Sequence, residues 1–152
     1  MRSWAGWLAI VCLAGAATQC SSLEVVTASY ASRSDARESG AIDRGWIPSW
    51  LPDSAQDIRE AHGLDSNRRW GLFNFAPAEA DRIRSVLHAE PISLAGVRCD
   101  MPARVEWWPR MLRGELDRAR IKDAALEAYR TRSDNLVVVV NWKQGRAYYW
   151  SE

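Results

Sequence analysis

A cluster of acidic, imidazole and amide side chains in the first half of the chain is the strongest candidate for chemistry. Its members are Asp57, Glu60, His62, Asp65 and Asn67. Carboxylates and an imidazole that converge at a turn can bind a divalent cation or transfer protons as general acids and bases. Glu60, His62, Asp65 and Asn67 therefore define a candidate polar site, which would suit a metal-dependent or acid–base hydrolase.

The same segment also has the composition of a loop between two strands. In turns, Asp and Asn side chains form hydrogen bonds to the nearby backbone, and Gly permits unusual backbone angles. His62–Asn67 is rich in these three residue types. Asp57 and Glu60 are an odd number of positions apart, so on a strand they would face opposite sides. No calcium-loop, zinc-helix or serine-hydrolase motif is present. We therefore predict no catalytic residue, metal or cofactor, and keep the polar site as the alternative.

Tryptophan is the compositional outlier. Of the nine tryptophans, Trp4 and Trp7 lie near the start of the chain and seven remain. A large aromatic plate can fill a core or stack on the CH face of a sugar, and the core is the commoner use. Since Trp107 and Trp108 are adjacent, one would face away from the other in an extended segment. The predicted contact residues are Trp46, Trp50, Trp107 and Trp108.

Local patterns predict the elements that position these residues. Leu23–Tyr30 is rich in β-branched residues and indicates a first strand. Ser32 and Asp35 have the spacing of a capping box, which begins a short helix. Two prolines exclude a regular helix from Trp46–Pro52, which we interpret as an aromatic loop over the core edge. Ala55–Ala61 and Arg69–Phe75 then indicate two strands.

The C-terminal region has the clearest pattern. Pro77 begins a second helix, and three antiparallel strands follow at Leu126–Arg132, Leu136–Trp142 and Ala147–Trp150. The apolar run Val137–Val140 is typical of an interior strand that is covered on both faces. The sequence therefore predicts an α+β domain with an antiparallel sheet of about five to six strands, two to three helices and a C-terminal β-meander.

The first residues have the organisation of an export signal. Arg2 supplies a cationic start, Trp4–Ala17 carries no charge, and Gly15–Ala17 offers small residues for a signal peptidase. The apolar run is shorter than the ~20 residues that a membrane helix needs. We predict an export signal at residues 1–19 and a single α+β domain at residues 20–152, located in the periplasm or anchored to the bacterial membrane by lipid.

The cysteines are compatible with two ways of processing the export signal. Cys20 could be the lipid-bearing first residue of a lipoprotein, and the polar residues Ser21 and Ser22 suit such a tether. Gln19 departs from the lipoprotein pattern, which has a small residue at that position. The alternative is plain secretion, in which an oxidising compartment permits a bridge between Cys20 and Cys99.

Charge excludes one class of partner. Without Arg2, the 20 Lys and Arg residues fall to 19, which equals the 19 Asp and Glu residues. A domain without net charge lacks the basic face that neutralises phosphates, so we expect no nucleic-acid partner. The same balance argues against adsorption on anionic lipid, and leaves a lipid anchor as the predicted membrane link.

An ordered series of motifs runs through almost the whole predicted domain. They are Tyr30–Ile42, Arg44–Pro48, Trp50–Pro52, Ile58–His62, Leu64–Asn67, Trp107–Pro109 and Gly145–Trp150. In this series the chain resembles a family of small, uncharacterised bacterial exported proteins, often lipoproteins, with a YbbD-type head domain. The resemblance implies an envelope location and an α+β domain, and it brings no catalytic residues.

Together these patterns favour a non-enzymatic binding module of the envelope. Its expected partner is another envelope protein or a cell-wall component. The alternative is an envelope hydrolase that uses His62 and the neighbouring carboxylates.

Overall fold

A computed structural model describes residues 24–152. The strands are β1 (Val25–Ser32), β2 (Gln56–Gly63), β3 (Arg69–Asn74), β4 (Arg98–Cys99), β5 (Gly114–Glu115), β6 (Glu127–Arg130), β7 (Leu136–Asn141) and β8 (Arg146–Ser151). The helices are α1 (Arg33–Glu38), α2 (Ala80–Val86) and α3 (Arg118–Asp123). Single 3-10 turns precede α2 at Pro77–Glu79 and β5 at Arg110–Leu112. The predicted export signal and Cys20 lie outside the described residues.

Six strands form one antiparallel sheet in the order β1-β2-β3-β8-β7-β6, and β4 and β5 pair separately. Each half of the sheet is a meander of consecutive strands. The halves join where β3 pairs with β8, which places Trp70 opposite Trp150. The predicted α+β class, strand number and C-terminal meander are confirmed.

The predicted capping box begins α1. Ser32 Oγ accepts a hydrogen bond of 3.2 Å from the Asp35 backbone N–H, and the Asp35 carboxylate accepts one of 3.1 Å from the Ser32 N–H. These bonds satisfy two donors that a helix start leaves free. After the helix, the chain turns at Gly40 and Gly45, which have φ values of 76° and 75°. Because L side chains rarely adopt such angles, glycine permits the turns that present Trp46.

Hydrophobic side chains cover both faces of the sheet. The first core contains Ile47, Leu51, Ile58, Phe73, Ile83, Val138, Val140 and Tyr149 among others. The second core contains Trp70, Leu94, Trp108, Leu112, Ile121, Val137, Val139 and Trp150 among others. Successive residues of β7 alternate between the two cores, so the predicted interior strand is confirmed.

The segment between α2 and β6 is mostly irregular, and one arginine organises it. Arg113 is half-buried and donates hydrogen bonds to the backbone carbonyls of Met101, Pro102, Val105 and Trp108. A guanidinium has five N–H donors in a fixed plane, so it can satisfy several carbonyls of a loop at once. This segment covers the second core.

Candidate functional site

An acid–imidazole pair lies on β2. Glu60 and His62 are two positions apart on the strand, so both side chains point to the same face. Glu60 Oε2 and His62 Nδ1 share a hydrogen bond of 3.0 Å, and the two residues are 0% and 6% exposed. Glu60 Oε1 has no hydrogen-bond partner within residues 24–152. Their shared hydrogen bond therefore offsets part of the desolvation cost of burying two polar groups at a position that water hardly reaches.

Burial is the main influence on the pKa of the carboxyl group in this pair. Burial raises the pKa of the Glu60 carboxyl, while the hydrogen bond and charge of His62 and the charge of Arg44 act in the opposite direction. Burial also raises the pKa of the Tyr149 phenol, and the charge of Glu60 adds to that effect. The phenol therefore stays protonated, and its O–H donates a hydrogen bond of 3.3 Å to the Trp46 carbonyl.

A glycine makes room for this arrangement. Gly71 of β3 lies opposite Glu60 on one side and Tyr149 on the other. A Cβ at Gly71 would lie 2.3 Å from the Tyr149 hydroxyl oxygen. The tyrosine ring thus occupies the space that any side chain at position 71 would need, which brings the phenol close to the carboxyl of Glu60.

Trp46 lies on top of the pair. Its ring stacks on the His62 imidazole with centroids 4.0 Å apart and planes 12° apart. The Arg44 guanidinium carbon lies 4.2 Å from the Trp46 ring centroid. Two groups this close to one ring must occupy opposite faces, because on one face they would overlap. Trp46 therefore offers a ligand its edge, and neither face is free to stack on a sugar.

A cleft of about 560 Å³ opens at this end of the sheet, where β2 and β8 end and β3 and β7 begin. This volume is within the range of small-molecule sites. The polar and aromatic residues that line it are Arg44, Trp46, His62, Ser66, Asn67, Arg68, Arg69, Asp134, Asn135, Ser151 and Glu152. Backbone at Gly45 and Gly63 and the side chain of Leu64 complete the lining.

Two arginines form what we call the cationic wall of the cleft, Arg44 and Arg69. One Arg44 Nη donates to the Ser39 carbonyl at 2.7 Å, and one Arg69 Nη donates to the Gly45 carbonyl. Within residues 24–152, neither arginine forms a salt bridge. Since each guanidinium has five donors, both are oriented by backbone and retain donors for a ligand.

The other charged residues of the cleft differ in whether a residue of opposite charge is paired with them. Arg68 pairs with Asp100 at 3.3 Å, and Glu152 pairs with Arg130 at 2.6 Å. Asp134 forms no salt bridge within the described chain. Its carboxylate accepts hydrogen bonds of 3.0 Å from Trp50 Nε1 and 2.8 Å from Ser133 Oγ, which are neutral donors.

Comparison with known families identifies one segment. Residues 24–74 match the family model of the YbbD head domain. The resemblance predicted from the motifs is thereby confirmed for this segment. Neither a curated protein nor a solved structure matches the chain.

The YbbD head segment supplies one side of the cleft. It contains β1 to β3, the Glu60–His62 pair, Trp46 and the cationic wall. The facing side, at residues 134–135 and 151–152, lies outside the match. The cleft is thus assembled from the matched segment and the C-terminal meander.

The structure separates the predicted polar cluster. Glu60 and His62 come together, and Asn67 lines the cleft, but Asp65 is exposed and does not line it. Asp57 lies at an irregularity of β2 and accepts a hydrogen bond of 3.0 Å from Asn74 Nδ2. Asp65 therefore does not share the buried surroundings of the Glu60–His62 pair, because the turn carries its side chain into solvent, and the four-residue polar site stays a prediction.

The predicted contact tryptophans also divide. Trp50 and Trp108 are 9% and 2% exposed, so their prediction as surface contacts is wrong. Trp50 belongs to the first core, and Trp108 belongs to the second, where its Nε1 donates to the Leu112 carbonyl at 2.9 Å. Trp107 is half-buried beside Trp108 and, like Trp46, stays a predicted contact residue.

Three other features of residues 24–152 bear on function: potential metal ligands, the length of the helices and the buried Cys99. No group of three or more His, Cys, Asp or Glu side chains in this range is placed to hold a metal ion. None of its helices is long and apolar enough to cross a membrane. Cys99 is a buried thiol, and its predicted bridge to Cys20 involves a residue outside the description.

Sequence reasoning missed the cationic wall and Asp134. Arg44 lies directly before Gly45 and Trp46, and Arg69 lies directly before Trp70, so neither belongs to a motif with known chemistry. Asp134 occupies a hairpin turn, where aspartate is common for local reasons. The available signal was that Arg69 begins a predicted strand and that Asp134 lies in the turn between two predicted strands, whereas Arg44 adjoins no strand and gave no such signal.

Proposed function

We propose that this chain is an exported envelope protein that works as a binding module, and that the cleft at the end of the sheet is its ligand site. One observation carries the binding role. Arg44 and Arg69 line a cleft while backbone carbonyls, not carboxylates, accept hydrogen bonds from their guanidinium groups. Charged donors that are fixed and uncompensated are a typical feature of a polar ligand site.

The expected ligand belongs to the envelope, as a cell-wall component or another envelope protein. Support for this location comes from the signal-like residues 1–19. Cys20 would anchor the module by lipid, or would remain unlipidated in a secreted form. The binding role is the same in both cases.

Binding is tested with the full-length protein and a soluble digest of bacterial cell wall. The readout is the indole Nε1–H signal of Trp46 in a ¹⁵N NMR spectrum, because this ring lines the cleft. We expect this signal to shift in wild type and to shift less in Arg69→Gln. Arg59→Gln is the matched control, since Arg59 is an exposed arginine of β2 outside the cleft. A spectrum that no cell-wall or envelope fraction changes would contradict the binding role.

The location is tested by the intact mass of the protein from its native host. A mass that begins at Cys20 and includes lipid supports the anchored form and excludes a Cys20–Cys99 bridge. A lipid-free mass with cleavage near Ala17 supports secretion, and a gain of two hydrogens on reduction would then reveal the bridge. A mass that retains residues 1–19 contradicts export.

A second candidate function is an acid–base hydrolase of the envelope. The observation in its favour is that His62 lines the cleft while Glu60 holds its Nδ1, so that Nε2 remains for proton transfer. In this case, His62→Gln would abolish hydrolysis of cell-wall fragments and leave the folded spectrum intact. Turnover that persists in His62→Gln, or binding without turnover, excludes this candidate.

A further inference from the structure

We infer that the cleft recognises a small zwitterion, a ligand that presents a carboxylate and an ammonium group together. This inference rests on the proposed binding role of the cleft and adds the chemical class of the ligand. Three properties of the lining carry it: the cationic wall, the carboxylate of Asp134, and the distance between the strands that hold them.

The cationic wall selects the anionic group. Arg44 and Arg69 each use one donor on a backbone carbonyl and keep the rest of a planar donor set. Planar guanidinium groups bind carboxylates through paired N–H···O bonds, which are stronger than bonds between neutral groups. The third arginine of the lining, Arg68, is already paired with Asp100. A ligand carboxylate would therefore engage Arg44 and Arg69.

Asp134 selects the cationic group. Of the two acids that line the cleft, Glu152 is paired with Arg130 through both of its oxygens. Asp134 has neutral donors, Trp50 Nε1 and Ser133 Oγ, as its contacts among the described residues. A half-buried carboxylate with no cation in contact gains most from an ammonium group, which donates three hydrogen bonds.

The spacing of the strands limits the size of the ligand. Arg69 begins β3, and Asp134 lies just before β7, with β8 between these strands. Neighbouring strands are about 4.8 Å apart, so the two backbones are separated by roughly 10 Å. Both residues line the same cleft, so the two charged groups of a ligand that contacts both must be only a few bonds apart. An amino acid or a short peptide has this dimension.

The rest of the lining suits such a ligand. Asn67, Asn135 and Ser151 offer neutral donors and acceptors, and the Trp46 edge offers an apolar contact. Ser66 Oγ is buried and has no hydrogen-bond partner within residues 24–152. These groups can serve the amide and methyl groups of a peptide. A phosphate polymer would instead need a surface of one charge sign.

Four dipeptides test the inference on the wild-type, full-length protein. They are alanyl-alanine, its N-acetyl form, its C-terminal amide and the form with both caps. The readout is the Kd from the shift of the Trp46 Nε1–H signal. We expect alanyl-alanine to bind most tightly and each single cap to weaken binding about tenfold, as for the loss of one charge-assisted contact.

Two substitutions assign each charge to its partner. Asp134→Asn keeps an acceptor for Trp50 Nε1, and should remove the difference between alanyl-alanine and its N-acetyl form. Arg69→Gln should remove the difference between alanyl-alanine and its amide. Arg59→Gln should leave all four Kd values unchanged. If a variant fails to fold, the four wild-type Kd values still decide the question.

The contrary outcomes are distinct. Equal binding of the four dipeptides, or weakening by the amide cap alone, overturns the zwitterion and leaves the cleft as a binding site. If no dipeptide shifts the Trp46 signal, the inference is overturned as well. The cell-wall digest then decides separately whether the proposed binding role also fails, because that experiment requires no particular ligand charge.

Discussion

Trp46 stacks on His62 with the two ring centroids 4.0 Å apart. The same indole lines the cleft, and the same imidazole bonds to Glu60 beneath it. A ligand that contacts Trp46 in the cleft would thus touch a side chain that packs directly on a buried titratable pair. The Trp46 indole therefore packs against both the His62 imidazole and the Arg44 guanidinium.

The buried carboxyl of Glu60 should make stability depend on pH. Because burial raises the pKa of Glu60 in the folded state, its contribution is fully present below the unfolded value of about 4.3 and is lost as pH rises through the folded pKa. Glu60→Gln removes this titration. We expect the free energy of unfolding of Glu60→Gln, relative to wild type, to increase with pH above about 4.3 and then level off.

Urea denaturation at a series of pH values measures this difference. Glu90→Gln is the control, since Glu90 is exposed and does not contribute to the pKa shift of Glu60. A constant difference between Glu60→Gln and wild type across the series would show that Glu60 titrates alike in the folded and unfolded states.

Gly71→Ala should destabilise the sheet by steric overlap. The added methyl would lie 2.3 Å from the ring carbon that bears the Tyr149 hydroxyl, and Tyr149 is fully buried. Overpacking of this kind costs about 1–3 kcal/mol. Combining it with Tyr149→Val should give a loss smaller than the sum of the two single losses. Additive losses in the double variant would mean that the two positions do not compete for space.

Arg113→Met should loosen the irregular segment over the second core. Removing the guanidinium leaves the carbonyls of Met101, Pro102, Val105 and Trp108 without this donor. Each unsatisfied buried group costs about 1–3 kcal/mol, less where water reaches it. Arg110→Met, at an exposed neighbour, should cost little. Chemical denaturation compares the two variants, and equal stabilities would refute the role of Arg113.

The Cys99 thiol should resist alkylation in the folded protein. Burial raises its pKa to about 12, so almost no reactive thiolate forms near neutral pH. In a full-length variant with Cys12→Ser and Cys20→Ser, iodoacetamide should leave the native mass unchanged and modify the protein fully in denaturant. Rapid modification of the native protein would show that this part of the second core opens readily.

Local signals in the sequence were sufficient for most elements of the fold. The capping box at Ser32, the prolines around Trp50 and the apolar run of β7 each act within a few residues, so their outcome follows from short-range chemistry. The pairing of β3 with β8 joins residues about 80 positions apart, and no local pattern specifies it.

The candidate site was only partly predictable for the same reason. Glu60 and His62 share a face because of strand periodicity, which the sequence contains. The placement of Arg69 and Asp134 in one cleft depends on strand order, which the sequence does not contain. The tryptophans were wrongly predicted because the adjacency of Trp107 and Trp108 fixes opposite directions without saying which direction is inward. Trp50 lies in the first core, where its indole Nε1–H donates a hydrogen bond to Asp134.

The central pairing of β3 with β8 has a consequence for biosynthesis. The first three strands cannot complete their hydrogen bonding or cover Trp70 until residue 150 has been made. Contacts so distant along a chain slow the final folding step. A nascent polypeptide with this connectivity therefore completes its central sheet only after its last hairpin has been synthesised.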